Sequence, residues 1–309
     1  MILSICPNPS IDCTIEVDSL NVGKLNRIES KVETYSGKAM NVAIGVARLN
    51  GSCVATGFMF ENHKRMFDAV LDREGVFHEF VVNSGSTRVN YKIIDKKAML
   101  TEINDRGEEV SKDKQKELIE MVKRISRNCE IAVISGSLPK GVDSDFYAKL
   151  INAIPENVKI IVDTEKENMI SAISTGRVFM AKPNLKELED FSNMAVWTKK
   201  DMVEASKKYL DMGAKNVLLS LGADGAVLTD GKDSYYCKSA SVAVNSTVGA
   251  GDSMISAVCV GLEQGVDMIE MLKRAVAAGT AAVTTSGTNL FYKEKYDEIY
   301  AKLSVEKLN

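Results

Sequence analysis

Histidine is scarce: the sequence holds only two, His63 and His78, both in polar segments. A histidine-based catalytic triad or a histidine-rich metal centre has too little to draw on, and both residues are expected at the surface. The six cysteines (Cys6, Cys13, Cys53, Cys129, Cys237 and Cys259) are scattered, and none forms a CxxC pair. Neither a zinc site nor a disulfide framework is indicated; reduced thiols in a cytoplasmic protein are the simple reading. No apolar run approaches the roughly 18 residues of a membrane span. The start, Met1-Ile2-Leu3-Ser4-Ile5-Cys6-Pro7, lacks a basic n-region and a cleavage site, so no signal peptide is expected. Positive charge is not in excess either. Lys and Arg number 39 against 42 Asp and Glu, for a net charge of -3 and a pI of about 5.7. That balance argues against broad binding to nucleic acid or to an anionic membrane. No internal repeat, low-complexity run or Pro/Ser-rich linker interrupts the 309 residues. A single α/β domain over 1–309 is therefore expected.

Among what is present, one stretch stands out: Asn245-Ser246-Thr247-Val248-Gly249-Ala250-Gly251-Asp252-Ser253-Met254. Two glycines and an alanine precede a long helical pattern. A tight turn of small residues lets backbone N–H groups converge at a helix N-terminus, where the dipole also favours an anion. Asp252 sits at the lip. A carboxylate there repels a resting phosphate, but suits a base that takes a proton from a hydroxyl attacking phosphorus. The bland alternative is a plain turn with an acidic residue complementing the dipole. The commoner nucleotide motifs are absent: Met254 stands where the dinucleotide fingerprint needs its third glycine, and no Gly-Lys-Ser/Thr occurs.

Leu3–Cys6 reads as a strand that stops at Pro7-Asn8-Pro9, with Asp12 just beyond. Asp12 either bonds substrate hydroxyls or caps a turn. Ser36-Gly37-Lys38-Ala39-Met40-Asn41 opens a second helix, and its Gly-Lys pair is a second candidate anion site. Thr87–Ile94 alternates, turns at Asp95-Lys96-Lys97 and returns through Met99–Ile103, which is a hairpin pattern. With strands near 15–18 and 27–34 it predicts a small sheet, a lid from about 12–35 and 87–105 outside the main fold. Arg88 and Asn90 share one face of their strand. From Lys112 onward strands and helices alternate, predicting a parallel sheet, with Ile269–Val283 as the last helix. Ligands bind outside the carboxyl ends of such strands. Ser137, Asp163, Lys182, Asn184, Glu187, Ser220 and Gly222 all follow strand ends.

Eight motifs in order carry a resemblance. They are Asn8-Pro9-Ser10-Ile11-Asp12, Ser36-Gly37-Lys38-Ala39-Met40-Asn41, Thr87-Arg88-Val89-Asn90, Thr101-Glu102-Ile103-Asn104, Ser135-Gly136-Ser137-Leu138-Pro139, Lys182-Pro183-Asn184-Leu185-Lys186-Glu187, Ser220-Leu221-Gly222-Ala223-Asp224-Gly225 and Val248-Gly249-Ala250-Gly251-Asp252. Nearly end to end, the chain resembles the phosphofructokinase-B branch of the ribokinase-like carbohydrate kinases, of the 1-phosphofructokinase and tagatose-6-phosphate kinase type. The resemblance implies a central, mostly parallel sheet flanked by helices, a β-lid that pairs across a homodimer, ATP and Mg²⁺. It implies phosphorylation of a hexose phosphate, first fructose 1-phosphate, with tagatose 6-phosphate or fructose 6-phosphate as alternatives. A catalytically silent sugar-phosphate-binding regulator is the reading from a different class; intact Asp252 and Glu187 oppose it. Asp252 is implied as base, with Gly249, Ala250 and Gly251 as anion hole. Asp12, Gly37, Asn41 and Asn90 are implied for sugar hydroxyls. Lys38 and Arg88 are implied for its phosphate, with Ser137 and Arg27 as further substrate candidates. Lys182, Asn184, Ser220, Gly222, Gly225, Val248 and Gly279 are implied for the nucleotide, and Glu187 for the metal. At the lid, Ile15, Val17, Val89, Tyr91 and Ile93 are expected to meet the second copy. Two departures bear on the ligands. Ala39 stands where the branch usually has glycine, which narrows the sugar site, and Thr247 stands where Gly or Pro is common.

Overall fold

The computed structural model describes residues 1–164, 166–285 and 290–308. The chain opens with β1 (Ile2–Cys6), β2 (Ser10–Val17), β3 (Ile28–Ser36), α1 (Lys38–Arg48), β4 (Cys53–Phe60) and α2 (Lys64–Arg73). Two short strands, β5 (Phe77–His78) and β6 (Val81–Asn83), precede the hairpin of β7 (Arg88–Asp95) and β8 (Leu100–Asn104). Regular alternation follows: α3 (Lys112–Ile125), β9 (Ile131–Ser135), α4 (Phe146–Ala153), β10 (Lys159–Asp163), α5 (Lys166–Ile173) and β11 (Val178–Ala181). Next come α6 (Leu185–Ser192), α7 (Lys199–Asp211), β12 (Asn216–Ser220), β13 (Ala226–Thr229) and β14 (Ser234–Cys237). The chain closes with α8 (Ala250–Glu263), α9 (Met268–Ala282), α10 (Lys293–Tyr300) and β15 (Val305–Leu308).

The main sheet has the order β15-β14-β13-β12-β11-β10-β9-β1-β4-β5, with β6 also on β4. It is parallel from β12 to β5 and antiparallel at the β13–β15 edge. Helices cover both faces, so the central strands are apolar on both sides. Along β9 and β10, Ile131, Val133 and Ile161 pack with α1, α8 and α9, while Ala132, Ile134, Ile160 and Val162 pack with the α3–α7 layer. Helices α1 and α8 approach closely at Gly45, where an added Cβ would lie 2.7 Å from Ser256 Cβ. That approach brings both helix N-termini to the same edge of the sheet. β1 pairs with β4 on one side and β9 on the other, so the strand order reverses there. A crevice outside the carboxyl end of β1 follows from this topology.

The second sheet runs β3-β2-β7-β8, with β2 and β7 parallel. Asp12 lies within β2, opposite Asn90, rather than in a turn. Residues with the parity of Asp12 line the crevice; those with the parity of Cys13 face away. The five expected partner-facing residues share this outward face, but Val17 is already 5% exposed within one chain. Of the five, Tyr91 is exposed; Ile28 and Ile103 are further exposed apolar side chains on that face, while Val32 and Leu100 are exposed on the other.

Three expectations need correction. Ile269–Val283 is not the last helix: α10 and β15 follow, and the hydrophobic periodicity of so short a helix is easily missed. The hairpin β13–β14 is a further element the expectations lack, although Asp230-Gly231 between two apolar runs is a hairpin signal. The histidines are half-buried rather than fully at the surface. His63 Nδ1 accepts from Thr87 N–H (3.3 Å), and His78 lies 3.1 Å from Asp72 and 3.6 Å from Asp68.

Candidate active site

A left-handed residue starts α8: Gly249 has φ 79°, ψ -3° and is its N-cap. Glycine adopts that conformation without a Cβ penalty. Ser253 N–H bonds Gly249 O at 2.9 Å as the first regular helical bond. The N–H groups of Ala250, Gly251 and Asp252 thus have no intrahelical acceptor, which makes an anion-binding cradle. One turn into this helix, Asp252 is 6% exposed, and Asn41 of α1 donates Nδ2 to its Oδ2 at 2.8 Å. Ser36 in turn donates to Asn41 Oδ1 at 3.2 Å, fixing which way the amide faces.

Burial pushes the Asp252 carboxyl up to about 6, and the neighbouring charge of Asp163 pushes the same way. Lys38, Lys182 and the Asn41 bond oppose that rise. A carboxyl poised there can accept a proton at neutral pH. Asp163, at the end of β10, lies 3.5 Å from Lys38 Nζ and 3.3 Å from Lys182 Nζ, and it accepts from Ser135 at 3.3 Å. Burial pushes its carboxyl up, but the two ammonium groups outweigh that and hold it below its ordinary value. The Asp163 charge reciprocally holds Lys38 protonated. One buried carboxylate therefore anchors two cations at the mouth of the anion cradle.

The lid supplies the opposite wall. Asp12 Oδ1 accepts from Asn90 Nδ2 (3.1 Å) and Ser10 Oγ (3.4 Å), and Lys92 Nζ stands 3.6 Å from Oδ2. Arg88 donates to Pro9 O (3.3 Å), Asn8 O (3.2 Å), Asp105 O (3.5 Å) and Asn90 Oδ1 (3.4 Å). On the other side, the Asn-x-x-Glu of α6 forms a reciprocal capping box. Asn184 Oδ1 accepts from Glu187 N–H and Glu187 Oε2 from Asn184 N–H, both at 2.9 Å. Ser220 binds back onto Pro183 O through N–H (3.0 Å) and Oγ (3.3 Å).

These walls enclose a cavity of about 920 Å³. It gathers Asp12, Gly37, Lys38, Asn41, Arg88 and Asn90 at one end. Asn184, Ser220, Gly222, Gly225, Val248 and Gly279 also line it, as do Gly249, Ala250, Asp252 and Gly251, with Lys182 beside Gly251. Three expected residues are not brought to its wall. Arg27 is exposed, next to the start of β3. Ser137 lies behind Asn8, whose Nδ2 donates to its Oγ at 3.2 Å. Glu187 is set back by its cap; burial raises its carboxyl pKa, against the Asn184 bond. Residues missed from sequence are Lys92, Glu102 and Asn104, which share the inner lid face. The two-residue alternation that paired Arg88 with Asn90 extends to Lys92. Asp163 was noticed only as a strand-end residue; its role as a double counter-ion depends on where β10 and β11 end.

The model of the pfkB family carbohydrate kinases matches residues 5–295. The chain belongs to that family. This pfkB-family kinase is 26% identical to 1-phosphofructokinase of Vibrio cholerae over 308 residues, covering 99% of this chain and 97% of the relative. It is 29% identical to 1-phosphofructokinase of Borreliella burgdorferi (100% and 99% covered) and 27% identical to tagatose-6-phosphate kinase of Staphylococcus epidermidis (99% and 99%). Among solved structures, phosphofructokinase-2 of Escherichia coli in complex with fructose-6-phosphate superposes with a TM-score of 0.88 at 29% identity, covering 97% of this chain and 98% of that one. The kinase thus has the ribokinase-like α/β architecture with its separate small sheet, and it is a sugar-phosphate kinase that takes ATP as donor. Among its described residues no helix is long and apolar enough to cross a membrane.

Proposed function

We propose that this kinase transfers the γ-phosphoryl group of ATP to the C6 hydroxyl of fructose 1-phosphate, giving fructose 1,6-bisphosphate and ADP. The observation that carries the reading is the placement of Asp252: buried, gripped by Asn41 and beside the open N–H groups of Ala250 and Gly251. Asp252 takes the proton of the attacking hydroxyl as oxygen bonds phosphorus and the bond to ADP breaks. The cradle at Gly249–Gly251 meets the charge of the transferring group, and Lys38 and Lys182 neutralise it. Asp12 and Asn90 orient the sugar, so that the hydroxyl is aligned before transfer. Mg²⁺ suits this site, since it keeps several waters and needs only one or two carboxylates beside phosphate oxygens. Glu187 is the carboxylate the resemblance offers for it: set back behind the wall with Oε2 in the α6 cap and Oε1 without a hydrogen bond among the described residues, it would act on the cation through its waters. Bound there, the cation would neutralise phosphate charge.

Tagatose 6-phosphate is the second acceptor, on the strength of the 27% identity to a tagatose-6-phosphate kinase. A panel of hexose phosphates with ATP tests both. The highest kcat/KM is expected for fructose 1-phosphate; a higher value for tagatose 6-phosphate transfers the assignment, and no turnover with any sugar phosphate overturns it. A homodimer is also proposed, with a second copy covering Ile28, Tyr91 and Ile103 on the outward face of the lid, because a small sheet exposing apolar side chains gains from cover. Light scattering of the active enzyme should give twice the chain mass; a monomer mass with full activity rejects the dimer.

A further inference from the structure

The cations at the acceptor end differ in how far their hydrogen-bonding capacity is spent. Arg88 directs its guanidinium to three backbone carbonyls and the Asn90 amide, so its present contacts hold the β1–β2 turn against the lid. Lys38 stands against Asp163. Lys92 is different. Its side chain is 13% exposed, yet among the described residues it makes no hydrogen bond. Among the described residues its sole ionic neighbour is Asp12, at 3.6 Å. A charge-assisted contact closes to about 2.8 Å, so this pair stops short of one. Glu102, opposite Lys92 in the β7–β8 register, forms no ion pair with it. A half-buried ammonium on the cavity wall, with one carboxylate at 3.6 Å, keeps donors free for an anion in the cavity.

The geometry also orders the ligand. Asp12 Oδ1 is held by Asn90 and Ser10, leaving Oδ2 and the Lys92 ammonium side by side on the cavity wall. A ligand placing a hydroxyl on Oδ2 would bring its next substituent to Lys92. We propose that Lys92 is a specificity-determining residue that binds the phosphate the acceptor already carries, selecting phosphorylated sugars over free ones. This rests on the sugar-phosphate reading above and adds a residue to it. Lysine meets phosphate as a compact charge with three rotatable donors, which tolerates the varied angles of a flexible monoester.

The test compares the wild type with Lys92→Met, which keeps the stem and removes the charge, and with Lys92→Arg, which restores it. Initial rates are measured with fructose 1-phosphate, tagatose 6-phosphate and free fructose, each at varied ATP. Wild-type turnover of a hexose phosphate establishes the underlying reading independently of any variant. For Lys92→Met the KM of the preferred hexose phosphate should rise at least ~10-fold, about the weight of one charged hydrogen bond. The preference for it over fructose in kcat/KM should fall by the same factor, with the KM for ATP within about twofold. Lys92→Arg should recover most of that preference. An unchanged hexose-phosphate KM in Lys92→Met overturns the proposal. Equal losses for phosphorylated and free sugar also overturn it, because they would mean that Lys92 only orients Asp12. A Lys92→Met protein that loses ATP binding is unfolded; Lys92→Gln, read by the same ratio, then decides with the same two outcomes.

Discussion

The two ends of the cavity are built on different principles. Around the residues proposed to bind the acceptor, charged and amide side chains engage one another directly: Asp12 with Asn90, Asn41 with Asp252, and Lys38 with Asp163. The wall proposed for the nucleotide is lined largely by glycine, alanine and valine, including Gly222, Ala223, Gly225, Val242, Val248, Val276 and Val283. Among its polar groups, Asn184 caps its own helix and Ser220 donates to the backbone of the neighbouring loop at Pro183. At the acceptor end, position is set by electrostatics around buried carboxylates, where a lost partner leaves another charge uncompensated. At the nucleotide end, position is set by shape and backbone, so single side chains carry less. Substitutions should therefore be severe at one end and mild at the other.

The largest effect is expected where the two ends meet. Asp252→Asn keeps shape and the bond to Asn41 but removes proton acceptance, so kcat should fall by ~10²–10⁴. The KM for ATP should stay near the wild-type value; retained kcat in single-turnover measurements would remove Asp252 from the role of base. Next comes Asp163→Asn. Removing one partner of a buried ion pair leaves uncompensated charge, and Lys182 is 6% exposed. Folding stability should drop by about 3 kcal/mol in urea titration at neutral pH, with weaker turnover. The Asp163 carboxyl lies below its ordinary value, so its contribution is present at neutral pH. That contribution is lost as the pH falls through the low carboxylate range. An Asp163→Asn protein as stable as the wild type would break the contrast between the two ends. The mildest change, Asn184→Ala at the nucleotide end, removes one half of the capping box and should cost about 1 kcal/mol. A loss of turnover comparable to that of Asp252→Asn would show that Asn184 does far more than cap.

Much of this was legible in sequence, for reasons that also mark its limits. Small residues before a helical pattern signal a tight turn at a helix N-terminus, so the Gly249–Asp252 turn could be read directly, though not the left-handed backbone of Gly249. Strand ends followed by polar residues placed Lys182, Asn184 and Ser220 on the ligand edge of a parallel sheet. The lid was legible because alternation without intervening helices is a hairpin pattern. Periodicity does not carry pairing across distant segments, however. Nothing local to Asp163 tells that it holds Lys38, 125 positions earlier in the chain, as well as Lys182. Likewise Asn-x-x-Glu at Asn184 and Glu187 reads equally as a ligand motif and as a helix cap, and the geometry makes it a cap at least. The apolar lining from Val242 to Val248 has no period to read, because that segment is irregular.

The central claim is that Asp252 is a base whose affinity for protons is set by its surroundings. Its carboxyl is pushed up to about 6 by burial, and the Asn41 bond opposes that rise. The pH dependence of kcat/KM, measured side by side for the wild type and Asn41→Ala, tests this directly. Protonated Asp252 cannot accept the substrate proton, so wild-type activity should fall as the pH drops through about 6. Losing the Asn41 donor removes a contact that favours the charged form, so the acid limb of the variant should lie at higher pH. A profile with no acid limb near pH 6, or one limb shared by both proteins, would contradict the account.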